Sequence, residues 1–218
     1  MAFFTNNNIV TTKHETLPFS GKWHDSFGCP PVSGSWILYG SSGSGKTSFA
    51  LQLAKYLTNY ERVLYWSIEQ GNSKTFQKAW KRENMQECGS NIIVADGDTG
   101  FEMIIKTMTQ RKGRNILIVD SLTPLRYFNE FKNGVHSIKS FGVAEYIKFC
   151  KRMKGKLIIW ISHEKQGLPD TTVGDYIMKL ADLKMRCEGY KVMTNSRAGE
   201  SMKDFIVWER GAREYKGI

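Results

Sequence analysis

Eight consecutive residues have the composition and spacing of a phosphate-binding loop, G-x-x-x-x-G-K-[ST]. They are Gly40, Ser41, Ser42, Gly43, Ser44, Gly45, Lys46 and Thr47. Glycines let such a loop turn its backbone N–H groups towards phosphate oxygens, and the helix that follows adds the partial positive charge of its amino end. We expect Lys46 to contact the β- and γ-phosphates of a nucleotide and the Thr47 hydroxyl to bind Mg²⁺.

The alternative for this stretch is a glycine-rich turn that binds nothing. The flanking sequence disfavours that alternative, because the motif requires a strand before the loop and a helix after it. Trp36–Tyr39 is an apolar run typical of a strand, and Thr47–Leu57 has helical spacing. Both requirements are therefore met.

A second chemical element is an apolar strand that ends in a carboxylate. Residues 115–121 are apolar up to Asp120 and follow the loop by about 70 residues. A carboxylate in this position can hold Mg²⁺, usually through a water molecule, beside the Thr47 hydroxyl. A helix- or turn-capping aspartate is the alternative.

Two further polar residues end predicted strands. Glu69 follows the strand at 62–68, where a carboxylate can lie near the γ-phosphate and polarise the attacking water. His163 ends the strand at 156–163, where a polar side chain can sense the γ-phosphate and move the loop behind it. The alternatives are an exposed loop glutamate and a histidine with an ordinary structural hydrogen bond.

The elements that must position these residues alternate between strands and helices along the chain. Predicted strands occupy 36–39, 62–68, 91–95, 115–121 and 156–163, and predicted helices occupy 47–57, 74–82, 101–108 and 139–153. In the tail, the extended stretches 181–195 and 204–209, joined through 196–199, predict a β-hairpin. We therefore predict a three-layer α/β domain with a mostly parallel central sheet, a C-terminal β-hairpin and a ligand site at the carboxyl ends of the strands.

Length and composition favour one globular domain. The 218 residues divide into a flexible N-terminal arm at 1–20 and a core at 21–218. Trp23 and Phe27 are expected to pack in the core, whereas Phe3 and Phe4 could pack either on this core or on a neighbouring subunit. With no apolar run of 18 residues, no signal peptide and four dispersed cysteines, the sequence favours a cytoplasmic protein with reduced thiols, in a bacterial or phage-infected cell.

This order of motifs resembles the RecA superfamily of P-loop ATPases, and in particular the branch that contains RadA, KaiC and DnaB-type proteins. The resemblance rests on the P-loop, on Tyr65–Glu69 and on the stretch Ile158–Gly167, and it covers about 21–213. With so little outside the core, the chain looks like a core-only phage recombinase. The resemblance implies DNA-stimulated hydrolysis of ATP with Mg²⁺ by a homo-oligomer, either a hexamer or a filament, that supports single-strand annealing or recombination.

The resemblance also implies that Lys46, Glu69 and His163 act in catalysis together with an arginine from the late hairpin. Relatives often carry Lys-x-Arg ahead of a glycine there, and the arginine reaches into the neighbouring subunit's ATP. This chain has Asn195 at the lysine position and Arg197 at the arginine position, before Gly199. A solvated turn arginine is the alternative for Arg197.

The formal net charge of +10 favours a polyanionic partner, with a merely soluble basic surface as the alternative. We expect DNA, single-stranded by preference, to lie against the loops at 122–138 and 164–175. The basic residues expected to contact its phosphates are Arg126, Lys132, Lys139 and Lys165. Aromatic residues of the first loop, Tyr127, Phe128 and Phe131, could stack on bases or pack within the loop.

Two other functions fit the same motifs. A nucleotide-switched regulatory ATPase of the KaiC-like type would bind a protein partner and ignore DNA, and a helicase-like ring motor would move along it. A small-molecule kinase is disfavoured, because the sequence has no arginine-rich lid or acceptor-pocket signature.

Overall fold

The computed structural model describes residues 3–126, 128–132, 135–196 and 202–215. The strands are β1 (Gly34–Gly40), β2 (Val63–Ser67), β3 (Ile92–Asp96), β4 (Ile116–Asp120), β5 (Phe128–Lys132), β6 (Val135–Lys139), β7 (Leu157–Lys165), β8 (Leu168–Pro169), β9 (Leu183–Glu188), β10 (Lys191–Ser196) and β11 (Phe205–Ile206). The α-helices are α1 (Asn6–Thr11), α2 (Gly21–Phe27), α3 (Lys46–Leu57), α4 (Lys74–Arg82), α5 (Phe101–Thr109), α6 (Val143–Arg152), α7 (Thr172–Leu180) and α8 (Glu209–Glu214). Two 3₁₀ segments lie at Met85–Asn91 and Pro124–Arg126.

The central sheet has the order β11-β10-β9-β1-β7-β4-β2-β3. The strands from β9 to β3 in this order are all parallel, whereas β10 and β11 add an antiparallel edge and β8 pairs with the end of β7. Long crossover connections return each parallel strand to the same edge. The predicted α/β class, with a mostly parallel sheet and a C-terminal hairpin, is confirmed.

Helices cover both faces of this sheet. Successive strand residues point to opposite faces, so Ile159 and Trp160 of β7 are both buried but belong to different apolar clusters. One cluster contains α2, α3 and α4 side chains, and the other contains those of α5, α6 and α7. Burial on both faces explains why the central strands β1, β2, β4 and β7 contain continuous apolar runs, whereas β9 alternates apolar and polar residues.

The segment at 122–138 is not the irregular loop expected from the sequence. It contains the short 3₁₀ turn at Pro124–Arg126 and the antiparallel pair β5–β6, and α6 begins at Val143, not at 139. The sequence has Asn133-Gly134 between β5 and β6, which is among the strongest short-range hairpin signals. The loop prediction gave that dipeptide too little weight.

The prediction of a loop at 164–175 is also wrong. β7 continues to Lys165 and pairs with β8, and α7 begins at Thr172. The Thr171 hydroxyl accepts a hydrogen bond from the Gly174 N–H at 2.9 Å and so caps that helix. Gly174 inside the first turn concealed the helical pattern.

The C-terminal hairpin turns earlier than expected. The stretch 181–195, predicted as one strand, contains β9 and all of β10 except its last residue, and the two strands turn at Gly189 and Tyr190, which have φ values of 54° and 60°. β11 then pairs with β10. A glycine followed by a residue in the left-handed region permits the tight turn that the single-strand prediction did not include.

The N-terminal segment has two parts with different surroundings. Leu17 and Phe19 are buried in the core, as are Trp23 and Phe27, which confirms the packing prediction for the latter pair. The side chains of α1 are not buried, and Phe3 and Phe4 are 90% and 71% exposed. Phe3 and Phe4 therefore do not pack on the described core. No helix in the described residues is long and apolar enough to cross a membrane.

Candidate active site

The carboxyl ends of four parallel strands bring the predicted site residues to one edge of the sheet. Gly40 at the end of β1 pairs with His163 of β7, and Asp120 at the end of β4 pairs with Ser67 of β2. The cleft above these ends has a volume of about 270 Å³. Its lining consists of Ser42, Gly43, Gly45, Lys46, Thr47, Ser48, Glu69, Gln70, Asp120, Ser121, His163 and Tyr190.

The P-loop connects β1 to α3 by a backbone path that requires glycine. Gly43 and Gly45 have φ values of 76° and 105°, in the region that side chains disfavour. Gly40 is needed for a different reason, because a Cβ there would clash with the carbonyl oxygen of Cys187 in β9. The amino end of the twelve-residue helix α3 therefore faces the cleft and can bind an anion.

Lys46 is the buried cation of this cleft. Its Nζ donates hydrogen bonds to the carbonyl oxygens of Gly40 and Ser41, at 2.8 and 2.7 Å. Burial lowers the pKa of the Lys46 ammonium, although Cys187 and Asp120 act in the opposite direction. Among the described residues, both hydrogen-bond acceptors of this ammonium are backbone carbonyl oxygens, so an entering phosphate would give Lys46 a directly bonded anion.

Asp120 is a buried carboxylate without an ion-pair partner among the described residues. It is 6% exposed, and burial raises its pKa to about 6 even though a hydrogen bond from the Tyr65 hydroxyl, at 2.5 Å, lowers it. The carbonyl oxygen of Asp120 accepts hydrogen bonds from the N–H groups of Ile68 and Glu69. These two bonds fasten the end of β2, and with it Glu69, to the end of β4.

The donors at this point fit Mg²⁺. The Thr47 hydroxyl and the Asp120 carboxylate are both oxygen ligands in the cleft, and a buried uncompensated carboxylate favours a nearby cation. In the part of the chain that the structure describes, no group of three His, Cys, Asp or Glu side chains could hold a metal by itself. The ion would therefore depend on nucleotide phosphates and water for its remaining ligands.

Glu69 is held by two polar neighbours at the mouth of the cleft. The Ser121 hydroxyl donates to Glu69 Oε2 at 2.7 Å, and His163 Nε2 lies 3.0 Å from the same oxygen. Burial alone would raise the pKa of Glu69, but the bonds from Ser121 and His163, with help from Lys46, bring it below its ordinary value. At neutral pH the side chain is therefore an ionised acceptor that can bind and orient a water molecule.

A second cleft of about 470 Å³ adjoins the first and shares Ser48 and Tyr190 with it. Its remaining lining residues are Gln52, Arg82, Glu83, Val207 and Trp208. The Tyr190 and Trp208 rings meet edge to face, with centroids 5.0 Å apart. The Tyr190 N–H also donates to the carbonyl oxygen of Ser44 at 3.0 Å, so the β9–β10 turn is bound to the P-loop.

The structure brings together the P-loop, Glu69, Asp120 and His163, but it does not test every predicted residue. Lys165 is exposed at the end of β7, and at Arg126, Lys132 and Lys139 only the backbone course is described. Arg197 and Tyr127 lie outside the described residues.

Sequence reasoning missed three functional candidates, namely the contacts of Tyr65 with Asp120 and of Ser121 with Glu69, and the position of Tyr190 between the two clefts. For Tyr65 the sequence predicted the strand but not the contact, which depends on the register between β2 and β4. Tyr190 carried no signal, because its position depends on the turn of an edge hairpin.

No family model and no curated protein sequence matches the chain. Its fold, however, is similar to solved structures. The flagellar accessory protein FlaH of Methanocaldococcus jannaschii has a TM-score of 0.60 at 19% identity, covering 88% of this chain and 92% of that one. A KaiC-like protein of Pyrococcus horikoshii has a TM-score of 0.56 at 15% identity, with coverage of 88% and 93%. An ATPase from the type III secretion system of pathogenic bacteria has a TM-score of 0.52 at 12% identity, with coverage of 88% and 64%.

The chain has the RecA-like P-loop fold. Similarity at these identities establishes the architecture and not the activity. The finer resemblance to RadA and to core-only phage recombinases stays a prediction.

The buried charge of Asp120 yields a prediction about stability. Because the folded-state pKa is raised to about 6, the native state loses stability as pH rises from the unfolded-state pKa of about 4 towards 6. Asp120→Asn keeps the shape, removes the charge and still accepts the Tyr65 hydrogen bond. We expect it to raise the free energy of unfolding of the ligand-free protein by about 1–3 kcal/mol at pH 7.5, and by less at pH 5.

Urea denaturation at the two pH values measures this difference. Asp25→Asn is the matched control, because that aspartate is half-exposed in a surface ion pair with Lys203 and its replacement should change the free energy by less than about 0.5 kcal/mol. A loss of stability in Asp120→Asn at pH 7.5 would show that the carboxylate is compensated in the ligand-free protein.

Proposed function

We propose that the chain binds and hydrolyses ATP with Mg²⁺. The observation that carries this proposal is the placement of Glu69 and Lys46 in one cleft, at the ends of neighbouring elements of the P-loop fold. The cleft holds a cation and backbone donors for phosphate, oxygen ligands for a divalent ion and an ionised carboxylate for water. A protein that binds ATP without hydrolysing it would not need an ionised carboxylate that orients water.

In the proposed reaction, a water molecule attacks the γ-phosphorus in line with the bond to the β–γ bridging oxygen. The new P–O bond forms while that bond breaks, and the water proton passes to Glu69, which leaves ADP and inorganic phosphate. Lys46 exchanges its contacts with Gly40 and Ser41 for phosphate oxygens and stabilises charge on the transferring group. Thr47 and Asp120 would hold Mg²⁺, which would supply positive charge beside the phosphate groups.

The second cleft is the proposed place of the nucleoside. It continues from the P-loop through Ser48 and Tyr190, so a nucleotide with its phosphates on the loop can extend into it. The faces of Tyr190 and Trp208 offer apolar contact for a base. Gln52, Arg82 and Glu83 supply polar groups at the rim.

Two substitutions test the ATPase proposal. Lys46→Ala should abolish nucleotide binding or turnover, because the phosphates lose their buried cation. Glu69→Gln should leave ATP affinity near that of the wild type and reduce the single-turnover rate by about 10²-fold or more.

Glu61→Gln is the matched control, because Glu61 accepts a hydrogen bond from Asn115 at the opposite edge of the sheet. ATP affinity and phosphate release are the measurements. Hydrolysis at the wild-type rate by Glu69→Gln would remove the assignment of the water-activating carboxylate.

We further propose DNA as the partner, with single-stranded DNA preferred. The net charge of +10, and the position of the β5–β6 pair and of Lys165 after strands that end at the cleft, support this proposal. DNA bound there would contact segments that directly follow Asp120 and His163, so its binding could change the cleft. A nucleotide-dependent regulator that binds a protein partner is the second candidate, since the same nucleotide cleft would serve it.

Charge removal distinguishes the two candidates. The variant with Lys132, Lys139 and Lys165 replaced by glutamine should bind single-stranded DNA at least about tenfold more weakly and show a shallower salt dependence, while basal ATP hydrolysis persists. The control variant replaces Lys106, Lys151 and Lys154, three exposed lysines on or just after helices that lead to the opposite edge of the sheet. Equal affinities of the two variants for single-stranded DNA would mean that DNA binds elsewhere on the protein. Absence of salt-dependent binding of the wild type to single-stranded DNA would favour the protein-partner candidate.

Arg197 is proposed to serve the cleft of a neighbouring subunit. Arg197 directly follows Ser196, which pairs with Leu183 of β9, and Leu183 pairs with Trp36 near the start of β1. Trp36 precedes Gly40 by four residues, a separation of roughly 13 Å along a strand. The end of β10 therefore points away from the chain's own P-loop, which favours action on another subunit.

A mixing experiment tests this assignment. Arg197→Ala protein has an intact P-loop, and Lys46→Ala protein has an intact Arg197. If the arginine acts between subunits, mixed oligomers should regain turnover that neither variant shows alone. Full wild-type turnover by assembled Arg197→Ala protein would identify Arg197 as an ordinary surface residue.

A further inference from the structure

Tyr65 has a fully buried hydroxyl that contacts the candidate metal ligand. The residue lies in the centre of β2 and is 0% exposed, and its hydroxyl donates to Asp120 Oδ2 at 2.5 Å. This is the only hydrogen bond of the Tyr65 side chain within the described part of the chain. A phenylalanine at this position would fill the apolar cluster equally well, so packing does not account for the hydroxyl group.

Strand register explains how the contact arises. Tyr65 pairs with Ile118 of β4, and Asp120 lies two residues further along that strand, on the same face. The two side chains are therefore diagonal neighbours on adjacent strands, at a separation that an aromatic ring can span. Tyr65 belongs to the apolar cluster on the face covered by α2, α3 and α4 and does not line the cleft, whereas Asp120 does.

The ring of Tyr65 is fixed by its surroundings. It packs against Phe76 of α4 with centroids 5.6 Å apart, and Phe76 is buried. The Ser73 side chain accepts a hydrogen bond from the Phe76 N–H and caps that helix. Helix α4 thus restricts the Tyr65 ring by packing, and the Tyr65 hydroxyl restricts Asp120 Oδ2 by a hydrogen bond.

We infer that Tyr65 is a positioning residue for Mg²⁺, an inference that rests on the proposed function. With Oδ2 engaged by the hydroxyl, the carboxylate cannot rotate freely about its terminal bond. Oδ1 makes no hydrogen bond in the described part of the chain and is the oxygen left for the ion or for its water. A hydrogen bond that orients a metal ligand typically changes metal affinity by about 10–100-fold when it is removed.

The test is Tyr65→Phe, which deletes the hydroxyl and keeps the ring. Binding of a fluorescent ADP analogue is measured in EDTA and over a series of Mg²⁺ concentrations, so the readout does not depend on hydrolysis. We expect the Mg²⁺ concentration for half-maximal enhancement of ADP binding to rise about tenfold or more, with affinity in EDTA within about twofold of the wild type.

Two further variants complete the design. Tyr146→Phe is the matched control, a buried tyrosine on the other face whose hydroxyl lies 3.4 Å from Ser35 Oγ, and it should leave the Mg²⁺ requirement unchanged. Phe76→Leu loosens the ring of Tyr65 and should raise the Mg²⁺ requirement by a smaller factor, about two- to threefold. If Tyr65→Phe does not fold, the Mg²⁺ requirement of Phe76→Leu tests the positioning role of Tyr65.

The outcomes separate the inference from the proposed function. An unchanged Mg²⁺ requirement in Tyr65→Phe, or an equal loss of affinity with and without Mg²⁺, would overturn the positioning role while ATP binding stands. If Tyr65→Phe does not fold, an unchanged requirement in Phe76→Leu has the same meaning. Failure of the wild type to bind ADP, or binding that Mg²⁺ does not affect, would overturn the proposed function and the inference together.

Discussion

The pairing of β2 with β4 at their carboxyl ends is the constraint on which the cleft depends. Two backbone N–H groups, of Ile68 and Glu69, bind the carbonyl oxygen of Asp120 just where the parallel ladder ends. The Asp120 side chain is thereby fixed within the cleft and the Glu69 side chain at its mouth. A slip of one residue would send Tyr65 to the other face of the sheet and break its contact with Asp120.

The two carboxylates of the cleft, Asp120 and Glu69, differ in how strongly their neighbours stabilise the ionised form. Asp120 is buried, and within the described residues a neutral hydroxyl is its hydrogen-bond donor, so burial raises the pKa of its carboxyl group to about 6. Glu69, by contrast, has Ser121 and His163 as partners and stays ionised more readily than an ordinary glutamate. In the ligand-free protein, burial therefore disfavours the charged forms of Asp120 and Lys46, and a metal–nucleotide complex would stabilise both charges.

The sequence predicted the elements that carry the motifs and missed those that have no motif. Apolar runs such as Ile116–Asp120 are long enough and regular enough to be assigned without a structure, and the P-loop fixed the edge of the sheet that carries the site. The turn at Gly189 depends on a single glycine, which local patterns weigh poorly, whereas the sequence does carry a hairpin signal between β5 and β6 in Asn133-Gly134.

Within the site, the sequence predicted residue types but not their pairings. Glu69 and His163 were each assigned to a strand end, yet their mutual contact follows from the insertion of β7 between β1 and β4, a matter of strand order. The Tyr65–Asp120 bond likewise needs the register of two strands that are about 50 residues apart. Such contacts are long-range, and spacing along one chain does not encode them directly.

The hydrogen bond between the β9–β10 turn and the P-loop connects the antiparallel edge of the sheet directly to the nucleotide cleft. The Tyr190 N–H and the Cys187 thiol both bind the carbonyl oxygen of Ser44, and the opposite end of β10 leads to the segment that contains Arg197. The paired strands β9 and β10 thus form a continuous hydrogen-bonded path from the outer end of this hairpin to the phosphate-binding backbone. If a partner bound at the outer end of the hairpin changes the affinity of the P-loop for a nucleotide, thermodynamic linkage requires that the nucleotide change the affinity for that partner by the same factor.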